Sequence, residues 1–361
     1  MSDLRFPTRV QKLRERLTQD NLDALFISNT ENRRYISGFE SSAGYLLVTR
    51  RNAVICTDFR YIEQASQQAP GWRVERIGGK PDWLATLVKE LEIKVLGFEA
   101  DDMTVETLDR FRKNLKQNDA NLTLKPTSSI CVELRAYKDD VELPLLQRAI
   151  DIGDQAFEET VAQLEVGMSE KEAAWIFEKA VRERGAESIS FPTIVAIGPN
   201  AARPHHATGD TKIVEAQTIV FDCGAKYKGY CSDLTRTVVL GKANDKVKRI
   251  YDIVLTAQLA AIDMVKAGMT GDECDAIARK IIAEAGYENN FGHSLGHGLG
   301  LEVHENPGIG PHSKSKLENG MPFTIEPGIY IPGWGGVRIE DVVVLKNDKA
   351  HILSHATKIS F

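Results

Sequence analysis

The sequence predicts an α+β chain in two parts, a smaller N-terminal α/β domain over residues 1–127 and a larger C-terminal α+β domain over 128–361. Three observations predict it. The 361 residues amount to roughly two domains of a typical ~150-residue size. Up to Leu124, amphipathic helical segments alternate with short apolar runs, the rhythm of an α/β unit with a mixed sheet. Beyond Ser188 that rhythm gives way to apolar strands and Gly-rich turns, interrupted by one helical block.

The elements follow in order. Residues 7–20 place Val10, Leu13 and Leu17 on one helical face. Leu22–Ile27 reads as a strand, as do Gly44–Val48, Ala53–Cys56, Trp72–Ile77 and Lys94–Phe98. Helices are expected near 60–68, 81–91 and 104–115. The pattern breaks over Pro126–Arg135, which places the domain boundary near 127. Two long helical stretches come next, one from Asp139 to Leu164 and one opened by Ser169, whose capping box is completed by Glu172. The later helical block spans 247–285.

Composition removes several function classes. With 42% apolar and 27% charged residues the chain is neither disordered nor fibrous. Lys and Arg number 45 against 51 Asp and Glu, a net charge of −6, so no overall positive field exists and no nucleic-acid partner is expected. The five cysteines, Cys56, Cys131, Cys223, Cys231 and Cys274, form no CxxC pair. That argues against a disulfide scaffold or a thiolate zinc site and fits a reducing, cytoplasmic setting. The opening MSDLRFPTRVQKLRERL lacks the apolar core of a signal peptide, and no apolar run approaches the ~18 residues of a membrane span, so no membrane partner is expected.

Two segments carry carboxylates where strands should face each other. Thr218–Val239 reads as a hairpin with apolar arms and a Gly-containing centre. With a two-residue turn at Tyr227-Lys228, Asp222 falls directly opposite Asp233. In Thr324–Val344 a loop centred on Gly333 brings Glu326 opposite Glu340. Opposed side chains lie about 5 Å apart, and like charges there are destabilising unless a cation compensates. A divalent metal supplies that cation. The alternative reading is that the pairs lie on solvated strand faces, or that a bulge shifts the register.

Between the hairpins, Phe291–Pro307 packs three of the eight histidines, His293, His297 and His304, into twelve residues with many glycines. A loop or short strand is expected there rather than a zincin helix, since HExxH is absent. A lone histidine in such a loop is commonly a hydrogen-bonding residue, but nearby carboxylates make neutral imidazole a candidate metal ligand. His205-His206, ahead of the first hairpin, offers further candidates, one of which suits a mere turn residue. Four carboxylates and one imidazole suit two divalent ions sharing oxygen ligands, of the Mn2+, Co2+, Zn2+ or Fe2+ kind. Paired ions of this type are the usual apparatus of a hydrolase.

At these residues the sequence resembles the pita-bread metallopeptidases, and within them the Xaa-Pro branch that contains prolidase and aminopeptidase P. The resemblance runs in order through Arg203-Pro-His205, Asp222 to Thr237 (DxG through SDxTRT), GHxxGHGxGLxxHExP over 292–307, TIEPGIY over 324–330 and GGVRIED over 335–341. The N-terminal part is similar to a creatinase-type domain through Asn32-Arg-Arg-Tyr35-Ile-Ser-Gly38-Phe39.

The resemblance implies a pita-bread catalytic domain holding two divalent ions per subunit, Mn2+ foremost. It implies Asp222 on one metal, Asp233 and Glu340 bridging both, and His297 with Glu326 on the other. A metal-bridging hydroxide would attack the carbonyl before proline, with Glu326 as proton shuttle. His205 and His304 match histidines that hydrogen-bond substrate and intermediate, and His293 matches another pocket histidine. Arg338 would stand behind the ligands and neutralise carboxylate charge; its plain reading is a strand arginine. A homodimer is also implied, with proline-containing peptides as substrate. Where some prolidases carry an arginine after the HExP proline, this chain has Gly308. That favours an Xaa-Pro aminopeptidase acting on longer peptides over an Xaa-Pro dipeptidase. Tyr45, Arg60 and Tyr61 are candidates for reaching over a site, with ordinary structural roles as the alternative. A creatinase-like amidinohydrolase or a non-catalytic binding protein on the same fold is expected to lack the ligands, and all five are present. Methionine aminopeptidases usually lack the N-terminal domain.

Overall fold

The computed structural model describes residues 5–358; residues 1–4, where the charged N-terminal stretch begins, and 359–361 lie outside them. The chain divides into two compact units, one reaching Arg135 and the other beginning at Ala136.

The first unit runs α1 (Arg5–Gln19), β1 (Ala24–Ile27), α2 (Thr30–Ser37), β2 (Tyr45–Thr49), β3 (Ala53–Thr57), α3 (Ile62–Gln68), β4 (Arg73–Arg76), α4 (Asp82–Glu90), β5 (Val95–Glu99), α5 (Val105–Gln117), β6 (Thr123–Thr127) and α6 (Ile130–Ala136). Its strands form one sheet in the order β4-β3-β2-β1-β5-β6. β1–β2 and β2–β3 are antiparallel, while β1–β5, β5–β6 and β3–β4 are parallel, so the sheet is mixed as expected. Phe26, Leu47, Val54, Phe98, Phe111 and Leu115 fill its core.

Three elements escape the apolar pattern. α2 is short and polar, and is held by its ends: Asn29 caps it by accepting from the Asn32 N–H, and Gly38 closes it at φ 78°. The buried Glu99 carboxylate then ties it to β5, accepting from the N–H groups of Ser28 and Asn29 and from Asn32 Nδ2. β6 contains Pro126 yet pairs with β5, because an edge strand tolerates a missing N–H. α6 carries the chain past 127 within the first unit, and Arg135 Nη1 donates to Asn32 Oδ1 at 2.7 Å. The observed division therefore falls beyond the expected position.

The second unit opens with α7 (Glu142–Val161) and α8 (Glu170–Glu183), the latter started by the Ser169/Glu172 capping box. There follow β7 (Ser188–Ile189), β8 (Ile194–Ile197), β9 (Ile219–Cys223), β10 (Ala225–Tyr227), β11 (Tyr230–Cys231) and β12 (Leu234–Val238). The expected helical block is two helices, α9 (Asp245–Met264) and α10 (Gly271–Glu284), split where Gly268 takes φ 90° and Thr270 starts a new capping box. β13 (Gly296–Gly298), β14 (Glu305–Ile309), β15 (Pro322–Ile325), β16 (Gly328–Ile331), β17 (Gly335–Arg338), β18 (Asp341–Lys346) and β19 (Lys349–Ile352) complete it. β12-β9-β8 form one sheet and β14-β13-β15-β18-β19 another, with β16-β17 paired alone. Phe157, Phe177 and Phe221 pack under the first sheet; Tyr251, Phe323 and Ile325 belong to the core around α9 and α10. Among the described residues no helix is long and apolar enough to cross a membrane.

Candidate metal centre

The two carboxylate hairpins do form, with one register as expected and one not. Ile325 pairs with Asp341 and Gly328 with Arg338, the register that sets Glu326 opposite Glu340. The first hairpin turns at Lys228-Gly229 instead of Tyr227-Lys228, since Tyr227 pairs with Tyr230. Lys228 and Gly229 take φ of 45° and 80°, the left-handed pair that a tight hairpin turn demands. The expected opposition of Asp222 and Asp233 is thereby corrected: Thr235 lies opposite Asp222. A displacement of two residues preserves side-chain parity, so both aspartates still serve one site.

His297 enters from β13, squeezed between β14 and β15. A Cβ on Gly296 would lie 2.0 Å from the Thr324 carbonyl oxygen, and one on Gly298 2.1 Å from that of Asn306. Glycine on both sides of His297 is what lets its strand sit there. His297 Nε2 points at Glu326 Oε1, 3.3 Å away, and at Asp233 Oδ2, 3.6 Å away. Asp233, His297 and Glu340 each bring a ligand atom within 4.8 Å of the others. His297 Nδ1 lies 3.1 Å from the Gly298 carbonyl oxygen, which can only accept. The Nδ1 proton is thus committed to the backbone, which leaves Nε2 as the nitrogen aimed at the carboxylates: protonated, it donates to Glu326, and deprotonated it could ligate a cation.

The electrostatics fit the same reading. Burial pushes the Asp233 carboxyl well up, with Glu340, Asp222 and Glu326 adding to it. Glu340 is raised for the same reasons, and Asp222 is raised by burial although Arg338 opposes this. Burial would raise Glu326 too, but its hydrogen bond and charge interaction with His297 bring it to about 2. His297, lowered by burial, is carried to about 9 by Glu326 and Glu340. Two buried oxygens, Asp222 Oδ1 and Glu340 Oε1, have no hydrogen-bond partner among the described residues. Crowded carboxylates with orphaned oxygens around an imidazole nitrogen fit divalent cations in hardness and charge.

Arg338, 3% exposed, supplies the protein's own positive charge. Nη2 donates to Asp222 Oδ2 at 2.6 Å, Nε to Thr235 Oγ1 at 3.0 Å and Nη1 to the Tyr330 hydroxyl at 2.9 Å. Thr235 Oγ1 passes its own proton to Glu340 Oε2 at 2.7 Å. Thr235 and Tyr330 were not singled out in the sequence. Their signal was parity: each stands an even number of residues from a carboxylate on a strand, Thr235 from Asp233 and Tyr330 from Glu326.

The histidines diverge in role. A cavity of about 1060 Å³ holds His205, His293, His297 and His304 together with the four carboxylates and Arg338. His205 and His304 are exposed to it and make no hydrogen bond among the described residues. Burial and the neighbouring His297 and His205 lower the His304 pKa. His293 lines the same cavity but differs in its contacts. Its Nδ1 lies 2.8 Å from the Ser294 carbonyl oxygen and its Nε2 2.8 Å from the Tyr330 hydroxyl. Arg338 can only donate to that hydroxyl, so Tyr330 donates to Nε2 and both His293 nitrogens are spent within the protein. His206 is the structural member of its pair, buried against Glu170 Oε2 at 2.8 Å. Arg60 pairs with Asp58, Tyr61 bonds Ser42, and Tyr45 packs among aromatic rings of its own unit.

Comparison with known proteins then places the chain. Residues 144–347 match the profile of metallopeptidase family M24, and residues 9–137 that of the creatinase/prolidase N-terminal domain. The Xaa-Pro dipeptidase of Pyrococcus horikoshii is 38% identical over 341 residues, 93% of this chain and 94% of that one. Among solved structures, an Xaa-Pro dipeptidase from Bacillus anthracis superposes with a TM-score of 0.94 at 41% identity, covering 98% of both chains. An X-Pro aminopeptidase from Thermotoga maritima does so with a TM-score of 0.87 at 38% identity, covering 96% of this chain and 98% of that one.

Proposed function

The chain belongs to metallopeptidase family M24, and from that premise we propose that it hydrolyses the imide bond between an N-terminal residue and proline. The expected two-domain architecture, a creatinase-type domain followed by a pita-bread domain, agrees with these matches. The observation that carries the reading is the convergence of four carboxylates and one imidazole in a cavity that also presents two histidines with no hydrogen bond among the described residues.

Asp222, Asp233, His297, Glu326 and Glu340 would hold two divalent ions, Mn2+ foremost, with Co2+, Zn2+ or Fe2+ able to substitute. Such ions, when bound, acidify water and polarise a carbonyl group. The side chains do the rest. Glu326 Oε1 accepts from Thr324 Oγ1 at 3.2 Å, which fixes the carboxylate and leaves Oε2 to take a proton from the attacking water and hand it to the proline nitrogen. His304 and His205 donate to the substrate carbonyl and to the oxyanion that develops from it. His293 holds its wall of the cavity through Tyr330, and Arg338 orients Asp222 and favours its ionised form against the effect of burial. Proline's nitrogen carries no N–H and its ring restricts the preceding residue, so a shaped pocket can select it.

Longer peptides are the favoured substrates. Among the described residues the Lys and Arg lining the cavity are Lys171, paired with Asp210, and Arg338, paired with Asp222. Arg338 is buried and engaged with Asp222, Lys171 is an exposed side chain already facing Asp210, and about 1060 Å³ exceeds what a dipeptide fills. Dipeptide hydrolysis is the second reading, favoured by relatives that bear the name Xaa-Pro dipeptidase. Protein stripped of metal and reloaded with Mn2+ or Co2+ should cleave an Xaa-Pro-Xaa tripeptide. Cleavage of an Xaa-Pro dipeptide alone would reverse the preference, and cleavage of neither would overturn the peptidase reading.

A further inference from the structure

The N-terminal unit contains a separate cavity of about 840 Å³, within the size range of small-molecule sites. Part of its lining is aromatic. Tyr45 and Trp83 stack with centroids 5.8 Å apart, Phe26 stacks on Tyr45 at 4.7 Å, and Phe111 meets Tyr45 and Trp83 edge-on. The Tyr45 hydroxyl makes no hydrogen bond among the described residues.

The rest of the lining is cationic in an unusual way. Arg33 is 3% exposed, and donates to Ser41 Oγ at 3.1 Å, the Ser41 carbonyl at 3.1 Å and Thr30 Oγ1 at 3.0 Å. It forms no ion pair among the described residues, and its buried Nε has no partner. Burial lowers its pKa, with Asp102 the strongest opposing charge. A buried guanidinium satisfied only by neutral oxygens is costly, and an anion held in its fork would relieve that cost. Arg76 and Arg110 line the same cavity, exposed and without ion pairs among the described residues, whereas Arg60 is neutralised by Asp58 at 2.7 Å. Among the described residues Asp102 is the one carboxylate in the lining without an ion pair, against three such arginines.

We propose that this cavity binds a small organic anion, its carboxylate or phosphate held by Arg33, Arg76 and Arg110 and its flat ring laid against Tyr45 and Trp83. Arginine forks match both oxyanions in two-point geometry, and an aromatic wall selects a planar body. The site is distinct from the metal centre in residues and in chemistry, and requires nothing of the peptidase reaction.

Titration calorimetry on the full-length protein tests it with three probes. N-acetyl-L-phenylalanine offers a carboxylate, phenyl phosphate a phosphate, and benzamide a ring without charge. At least one of the two acids should bind tenfold or more tighter than benzamide. The double variant Arg76→Gln/Arg110→Gln, altered only at exposed side chains, should weaken that binding at least tenfold while Xaa-Pro hydrolysis stays unchanged. Arg33→Lys, which keeps the charge and loses the fork, should weaken it similarly. The variants decide the location, because an acid can also reach the metal centre. Equal affinity for benzamide, unchanged affinity in the double variant, or binding of neither acid would each overturn the proposal.

Discussion

Arg338 Nη2 lies 2.6 Å from Asp222 Oδ2, and the two residues come from different strands, β17 and β9. This is the only Lys or Arg ion pair made by any of the four convergent carboxylates among the described residues. The Arg338 side chain is 4% exposed and that of Asp222 13%, so neither is well hydrated apart from the pair. Arg338→Lys keeps the charge but gives up the fork that spans Asp222, Thr235 and Tyr330. Activity should fall by about 10² and apparent Mn2+ affinity by roughly 10–100-fold, as losses behind metal ligands generally do. Paired measurements of kcat/KM and metal titration check it; unchanged metal affinity would mean that Arg338 does not support the ligands.

Asp233→Asn and Glu340→Gln should abolish turnover and lower bound metal, as read by elemental analysis of purified protein. Each also removes one charge from a crowded acid cluster. The metal-free variants should therefore melt no lower than metal-free wild type, whereas addition of Mn2+ should raise the melting temperature of wild type alone. Full metal content in both variants would refute their proposed role as ligands.

Gly296→Ala should be far more damaging than an ordinary surface change. Its new methyl would fall 2.0 Å from the Thr324 oxygen, so β13 and β15 would have to separate. The expected cost is on the order of 3 kcal/mol or more, with loss of activity, measured by denaturant unfolding and assay. Wild-type stability and rates would show that this close approach is not maintained.

A pH effect is expected away from the metal centre. Burial raises the Asp154 carboxyl from 3.8 to about 6, although the N–H groups of His355 and Ala356 act to lower it. The folded protein thus holds this proton more tightly than the unfolded chain does. Its contribution to stability is present below about pH 4 and lost as pH rises through about 6, a difference on the order of 3 kcal/mol. Asp154→Asn, which keeps an acceptor for both N–H groups, should flatten the wild-type decline between those pH values. Parallel slopes for the two proteins in unfolding curves at pH 4.5 and 7 would contradict this.

How much was legible depended on whether a local rule applied. Apolar spacing located β1 through β5 and α1, and the Ser169/Glu172 box located the start of α8, since these patterns depend on neighbours in sequence. α2 was not legible: its stability comes from Asn29, Gly38 and the distant Glu99. β6 was hidden by Pro126, which reads as a breaker until the strand is known to lie at an edge. The second hairpin's register could be read through its symmetric loop, whereas the first depended on Lys228 accepting a left-handed conformation that its side chain does not advertise.

The sequence by itself determined which residues stand out as candidates for chemistry: four carboxylates on the arms of two hairpins and a histidine flanked by glycines. Alternation along a strand is a local property, so a two-residue error in pairing left the set of converging side chains intact. Only the tertiary structure decided which nitrogen and oxygen atoms remain uncommitted. His293 is as prominent in the sequence as His304, but Tyr330 and the Ser294 carbonyl consume both of its nitrogens, while His304 lines the cavity with no hydrogen bond among the described residues. Hydrogen bonds saturate, and which partner claims a donor or acceptor depends on groups tens of residues apart in the chain.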